Sequence, residues 1–147
     1  RVLVQTWHPR HHAIRLAMAH DFDSFAEREL RFRQGLWYAP FARLVMFRVS
    51  ARDERCGQRA SMLCRDLVET AARSVVTGPG QIRVLGPSPS PVYRAKGRFR
   101  WQVMVKACGH RTLSALLQRL YPELLKKVSK EGGEARAVID RDPVSML

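Results

Sequence analysis

Long hydrophobic runs, paired cysteines and acidic residues are all scarce in this sequence of 147 residues. Its apolar runs are only a few residues long, against the ~20 that a membrane-spanning helix needs, so a transmembrane segment is not predicted. Cys56, Cys64 and Cys108 are odd in number and form no CxxC pair. They are predicted to be reduced, core-facing thiols of a cytoplasmic protein and neither disulfides nor zinc ligands.

Motifs for catalysis and for metal or cofactor binding are also missing. No GxxxxGK[ST] loop is present to cradle phosphates, and no serine has a histidine partner at a readable spacing. Adjacent histidines on a helix point about 100° apart, so His8, His11 and His12 are expected to form a solvated helix start and not a metal site. This chain is therefore predicted to hold no catalytic residue, no metal and no cofactor. Because Arg1 leads straight into the strand-like Val2-Leu3-Val4, we expect no signal peptide, and we expect a fragment of a longer protein.

Positive charge is the dominant feature of what is present. Twenty-six Lys and Arg against 13 Asp and Glu give a net charge of +13, while 46% hydrophobic residues suffice for a packed core. No acidic residue occurs from Thr70 to Pro122. The basic residues of that stretch are Arg73, Arg83, Arg94, Lys96, Arg98, Arg100, Lys106, Arg111 and Arg119. An ordinary solvated surface would intersperse the two signs, so the stretch favours a surface that binds a polyanion such as nucleic acid.

The hydrophobic periodicity divides the chain near residue 40. Residues 2–6 are expected to form a short strand. Two helices follow, one from Pro9 to about His20 and one that starts at Asp21 or Asp23 and runs to about Leu36. From residue 41 the pattern predicts strand 43–50, helix 53–76, strand 81–85, a stiff proline-rich segment 86–91, strand 98–106, helix 111–129 and strand 135–140.

This order of elements is the split βαβ pattern (βαββαβ) of a ferredoxin-like α+β domain. It predicts an antiparallel sheet with two helices on one face and the other face open. The open face should carry Arg83, Arg98, Arg100, Gln102, Lys106 and Arg136. It should also carry Leu44 and Met46, which we expect to be covered by the N-terminal helices or by the rest of a longer protein.

Several short motifs resemble one family over essentially the whole chain. The opening V-L-V-Q-T-W-H-P, then F-A-E-R-E-L at 25–30 and Y-A-P-F-A-R-L at 38–44, follow the order of that family's segments. The most specific stretches are G-P-S-P-S-P at 86–91, G-R-F-R-W-Q at 97–102 and D-R-D-P-V-S-M-L at 140–147. With these motifs the chain resembles the C-terminal region of the PriA family of primosomal replication-restart helicases.

The resemblance implies a domain organisation and a set of partners. Residues 1–40 would be the end of the second helicase lobe with connecting helices, and 41–147 a C-terminal domain like ribosomal protein S10 in fold. The full-length family protein would be an ATP-dependent 3′–5′ DNA helicase, with ATP, magnesium and zinc bound upstream of this chain. Its partners would be single-stranded and forked DNA, single-stranded DNA-binding protein and the helicase core, with no membrane. It would act in replication restart, repair and recombination at the nucleoid in the cytoplasm.

Two kinds of binding site remain open from the residues. In the first, DNA phosphates contact Arg98, Arg100 and Lys106, with further contacts from Arg83, Arg94 and Lys96. Arg98 and Arg100 would project on one face about 7 Å apart. They could instead pair with carboxylates of the parent helicase, Asp140 or Asp142.

Base readout is not expected at this DNA site, because Phe99 and Trp101 alternate onto the core face of the predicted strand. In the second kind of site, a protein-interaction module with little DNA affinity uses Arg111, His110 and Gln102. These residues would receive the acidic C-terminal tail of single-stranded DNA-binding protein, near the start of the last helix, where the helix dipole attracts carboxylates.

Overall fold

The computed structural model describes residues 2–76, 78, 81–131 and 134–143. The chain splits into two compact units, residues 1–37 and 38–147. No helix among the described residues is long and apolar enough to cross a membrane.

The first unit is a pair of helices, α1 (His12–Met18) and α2 (Phe22–Leu36). Asp21 is the N-cap of α2: its carboxylate accepts a hydrogen bond from the Ser24 amide at 3.0 Å, which lowers the pKa of Asp21. Trp37, with a φ of 56°, ends the helix in the left-handed conformation. Both helices were predicted, but α1 is shorter than the predicted helix from Pro9 to about His20.

The strand predicted at residues 2–6 does not form. Those residues belong to no strand, and Val2 and Leu3 are almost fully exposed. A β-strand needs a neighbouring strand for its backbone hydrogen bonds, and no described strand pairs with this segment.

The second unit has the predicted βαββαβ order. Its elements are β1 (Arg43–Ala51), α3 (Glu54–Val75), β2 (Ile82–Ala95), β3 (Arg98–Ala107), α4 (His110–Glu131) and β4 (Arg136–Arg141). The strands lie in the order β2-β3-β1-β4, and every neighbouring pair is antiparallel. The ferredoxin-like α+β fold is therefore confirmed.

The core lies between the sheet and the two long helices. Strands β1 and β3 contribute alternate residues, among them Val45, Phe47, Val103 and Val105, all fully buried. Helix α3 adds a stripe of small residues and α4 a stripe of leucines: Ala60, Cys64, Val68, Leu113, Leu116, Leu120 and Leu124. Small residues on α3 allow it to lie close to the sheet. A Cβ added at Gly57 would meet the Trp101 indole at 3.1 Å.

Strand β2 differs from the prediction. It does not end at residue 85 but continues through the proline-rich segment to Ala95, with two register shifts against β3, between Leu85 and Ser88 and between Pro89 and Arg94. The strand tolerates these prolines because it lies at the edge of the sheet, where outward-facing amides need no strand partner.

Leu44 and Met46 are both buried, at 6% and 0% exposure. Their burial agrees with the expectation that they are covered, and cover by the N-terminal helices or by the rest of a longer protein stays a prediction. Residue 142, just after β4, lies beside Leu44. The Asp142 amide donates to the Leu44 carbonyl at 2.8 Å, and the Leu44 amide donates to the Asp142 carboxylate at 3.2 Å.

The three thiols differ in burial. Cys64 is buried and Cys56 is partly buried against the core, as predicted, whereas Cys108 is exposed. The prediction was wrong for Cys108 because this residue lies after the end of β3, where its amide donates to the Gln81 carbonyl at 2.9 Å.

Cys64 is expected to resist thiol reagents at pH 8 in the folded domain. Burial raises the pKa of its thiol to about 12, and the reactive species is the thiolate. Exposed Cys108 should react first. Titration with a chromogenic disulfide reagent, with and without urea, followed by peptide mapping, measures each rate. Native labelling of Cys64 as fast as that of Cys108 would contradict the expectation.

Candidate nucleic-acid interface

Three arginines gather on the open face at the end where β3 begins. Arg100 lies opposite Ser50 of β1, and Ser50 lies opposite Arg136 of β4. With strands spaced about 4.8 Å apart, the Arg100 and Arg136 backbones are about 10 Å apart, and Arg98 lies about 7 Å along β3 from Arg100. We call Arg98, Arg100 and Arg136 the arginine cluster.

Arg98 is held by backbone carbonyls. Its Nη2 donates to the Ser50 carbonyl at 2.9 Å and also to the Glu134 carbonyl, and its Nε donates to Ser50 Oγ at 3.3 Å. The side chain therefore ties the start of β3 to the end of β1 and to the segment before β4.

The carboxylates weighed as alternative partners of Arg98 and Arg100 have other partners. Asp140 pairs with Arg48 at 3.5 Å, and Asp142 pairs with Arg43 at 3.8 Å. The interpretation in which these two aspartates neutralise Arg98 or Arg100 is therefore wrong.

Arg100 lies in a cleft of about 240 Å³ on the open face. The cleft is lined by polar side chains and by the exposed Val92 and Val138. Arg100 is partly exposed, and it has no ion-pair or hydrogen-bond partner within the described part of the chain. Its guanidinium is thus a positive charge with open donors in a solvent-accessible cleft.

Lys106 does not lie on the accessible surface. It is 5% exposed, and its Nζ lies 3.6 Å from the centroid of the Tyr38 ring. A cation in this position is stabilised by the aromatic face, and it could reach a phosphate only by leaving that face. The prediction of Lys106 as a phosphate anchor is corrected for this reason.

The other predicted cations are dispersed. Arg83 is exposed at the far end of the open face, opposite Lys106. Lys96 is in the turn between β2 and β3. Arg94 lies opposite Phe99 of β3. Because Phe99 alternates with Arg98 and Arg100, Phe99 and Arg94 lie on the helix side of the sheet. Of the six predicted residues, Arg98 and Arg100 share the end of the open face where β3 begins, whereas Arg83 and Lys106 are cross-strand neighbours at its other end.

The alternation of β4 places Arg136 on the open face, but the sequence does not indicate that it is near the predicted DNA contacts. Only the strand order shows that β4 lies beside β1, and thus that Arg136 neighbours Arg98 and Arg100. Sequence spacing alone carries no such signal, because Arg136 lies 36 positions after Arg100.

The residues predicted for an acidic tail do not form one site. His110 and Arg111 are exposed at the start of α4. Gln102 lies five residues before the end of β3, which corresponds to about 16 Å of strand. Within the described ranges, no three His, Cys, Asp or Glu side chains gather to hold a metal ion.

A family model described as "Primosomal protein N C-terminal domain" matches residues 34–144. The chain belongs to this family. Among curated PriA proteins, the replication restart protein PriA of Bacillus subtilis is 27% identical over 147 residues, which is 99% of this chain and 17% of that protein. The protein of the same name from Synechocystis is 32% identical over 72% of this chain and 12% of its own length.

The PriA protein of Haemophilus influenzae is 25% identical over 97% of this chain and 18% of its own length. The chain thus spans less than a fifth of the length of these three PriA relatives. Among solved structures, the designed protein Foldit4 is similar with a TM-score of 0.47 and 12% identity, over 71% of this chain and 99% of its own.

Proposed function

We propose that this PriA C-terminal domain binds the phosphate backbone of DNA with Arg100 and Arg136, while Arg98 fixes the strands that carry them. The observation that carries the proposal is the state of Arg100, which is partly exposed in an open cleft and has no partner within the described residues. Two neighbouring arginines with accessible donors can each form charge-assisted hydrogen bonds to a phosphate and release its counterions.

The charge around the cluster supports the proposal. Strands β2 and β3 carry no acidic residue. Glu134, the nearest carboxylate in sequence to Arg136, pairs with Arg52 at 3.2 Å, and Asp140 pairs with Arg48. Since these carboxylates have cationic partners, the field at this end of the sheet remains positive.

The contacts proposed on the open face are to phosphates and not to base edges. The face offers arginines, serines and small apolar side chains around Arg100, with no aromatic ring among the residues that line the cleft. Such contacts position a protein on DNA without reading its sequence.

The setting of this activity is inferred from the family. The relatives are named replication restart proteins, and we place this domain as a DNA-docking part of such a protein in the cytoplasm. ATP hydrolysis and unwinding, with their magnesium and zinc, would belong to parts of the protein outside this chain. Binding of an acidic tail is the weaker candidate, because Gln102 lies apart from His110 and Arg111.

The affinity of the Arg100→Ala/Arg136→Ala variant for forked DNA is expected to depend less steeply on salt. The slope of log binding constant against log salt concentration should become shallower by about two, since each lost phosphate contact lowers it by about one. Fluorescence anisotropy with a labelled fork and a labelled single strand, between low and moderate salt, measures the slope. Arg98 is left intact so that the strands stay fixed.

The matched control is Arg119→Ala/Lys126→Ala, which removes two exposed charges from α4 on the opposite side of the sheet. This control should keep the wild-type slope. Equal slopes for the two variants would move DNA binding away from the arginine cluster. A labelled acidic peptide that binds the wild type more tightly than DNA does would favour the tail-binding function.

A further inference from the structure

The turn between β2 and β3 places two sets of cations on opposite sides of one hairpin. Lys96 and Gly97 both have positive φ, 50° and 69°, which is typical of a tight two-residue hairpin turn. Register pairs Ala95 with Arg98 on the open side and Arg94 with Phe99 on the helix side. The arginine cluster therefore lies on one side of the hairpin and Arg94 on the other, with Lys96 at the tip between them.

Arg94, Phe99 and Tyr93 are in contact on the helix side. The Arg94 guanidinium carbon lies 5.1 Å from the centroid of the Phe99 ring. The Tyr93 ring meets Phe99 edge-on, with centroids 5.5 Å apart, and its hydroxyl donates to the Glu54 carboxylate at 2.6 Å. That hydrogen bond also raises the pKa of Tyr93 and fixes its ring against Phe99.

Phe99 differs from the other aromatic residue of β3. Trp101 is 9% exposed and packs against Gly57 of α3, so it belongs to the core. Phe99 is only partly buried, and the Arg94 side chain over it is exposed, with no carboxylate partner within the described residues. The guanidinium thus contacts the aromatic ring on one side, while the Arg94 side chain is also in contact with solvent.

We propose that the Arg94–Phe99 pair stacks one unpaired nucleobase, so that a single strand passes around the hairpin tip by Lys96 to the arginine cluster. This inference rests on the proposed function and adds a residue pair that contacts a base. An exposed guanidinium is a flat cationic group, and such groups and aromatic rings stack exposed bases in single-stranded binding proteins. A base within a duplex is already stacked on both faces, so the site selects single strands.

The probes are two labelled 12-mers of equal charge, oligo-dT and an abasic strand of the same length. The wild-type chain is expected to bind oligo-dT about tenfold more tightly than the abasic strand, the value of one stacked base. Arg94→Lys keeps the charge and loses the planar stacking group. The ratio of the affinity for oligo-dT to the affinity for the abasic strand should therefore fall to near one, with the affinity for the abasic strand unchanged.

Phe99→Leu should lower the ratio in the same way, and its circular dichroism spectrum must match that of the wild type for the comparison. A ratio near one for the wild type, or a ratio that Arg94→Lys does not change, would overturn the inference. The Arg100→Ala/Arg136→Ala variant should bind both strands more weakly than the wild type, by the same factor. If it weakens neither while the ratio stays near ten, the proposed phosphate site fails and the base-stacking site stands.

Discussion

Gly86→Ala is expected to lower the free energy of unfolding by about 2 to 6 kcal/mol, a larger loss than we expect from alanine at Gly97 or Arg98. Gly86 has a φ of +95°, which costs an L residue about 1–3 kcal/mol. Its new Cβ would also lie 2.7 Å from the Gln102 carbonyl oxygen. The backbone would have to shift to relieve that clash, at a cost of about 1–3 kcal/mol. Urea unfolding followed by tryptophan fluorescence measures the change.

Two other glycines separate these causes. Gly97 has a φ of +69° but open space around its Cβ position, so Gly97→Ala should lose only about 1–2 kcal/mol. Gly109 has open space and no positive φ, but its carbonyl accepts from the Leu113 amide at the start of α4, so Gly109→Ala should lose up to about 1 kcal/mol. A loss for Gly86→Ala no larger than that for Gly97→Ala would mean that the close approach of β2 to β3 is not a constraint.

Arg98→Ala is expected to destabilise the domain by about 1 to 3 kcal/mol, because the carbonyls of Ser50 and Glu134 would lose a charged hydrogen-bond donor. The loss should fall within this range and not above it, since the Glu134 contact is solvent-exposed and water can replace the donor there. The shift in the midpoint of urea unfolding measures this loss, provided that the dependence of the unfolding free energy on urea concentration is unchanged.

Arg100→Ala is the matched control for Arg98. The two arginines lie two residues apart on the same face of β3, yet Arg100 has no partner within the described residues. Its removal should change stability by no more than about 0.5 kcal/mol. Equal losses for the two variants would contradict the different roles assigned to them.

The contrast between these residues affects how DNA binding is tested. A variant that removes Arg98 weakens both the fold and the charge of the surface, so a loss of binding would have two causes. Arg100 and Arg136 can be removed with the strands still tied together. The test of phosphate binding therefore uses that pair.

The order and type of the elements from residue 41 could be predicted because hydrophobic periodicity reflects burial directly. The alternation along β3 indicated the correct core face, with Trp101 and Val103 buried. The prediction failed where pairing decides the structure. Residues 2–6 have strand-like side chains and no described partner strand. The prolines of 86–91 could be read from the sequence only as a break, although an edge strand accommodates them.

The candidate site was predictable only in part. The excess of cations and the placement of Arg98, Arg100 and Arg136 on one face follow from composition and from a period of two. Hydrogen bonds and burial, by contrast, depend on neighbours distant in sequence. Lys106 rests on Tyr38, 68 positions away in the chain, and Arg98 donates to the Ser50 carbonyl of another strand.

Local side-chain pattern was enough to establish the fold class, the sign of the charge and the face on which most basic residues of the sheet lie. Which of these cations are available for binding depends instead on the three-dimensional arrangement of the chain. The strand order brings Arg136 beside Arg100, backbone carbonyls engage Arg98, and the Tyr38 ring covers Lys106. A charge is available only if no group distant in sequence has already become its partner, and such partners are fixed by folding and not by local pattern.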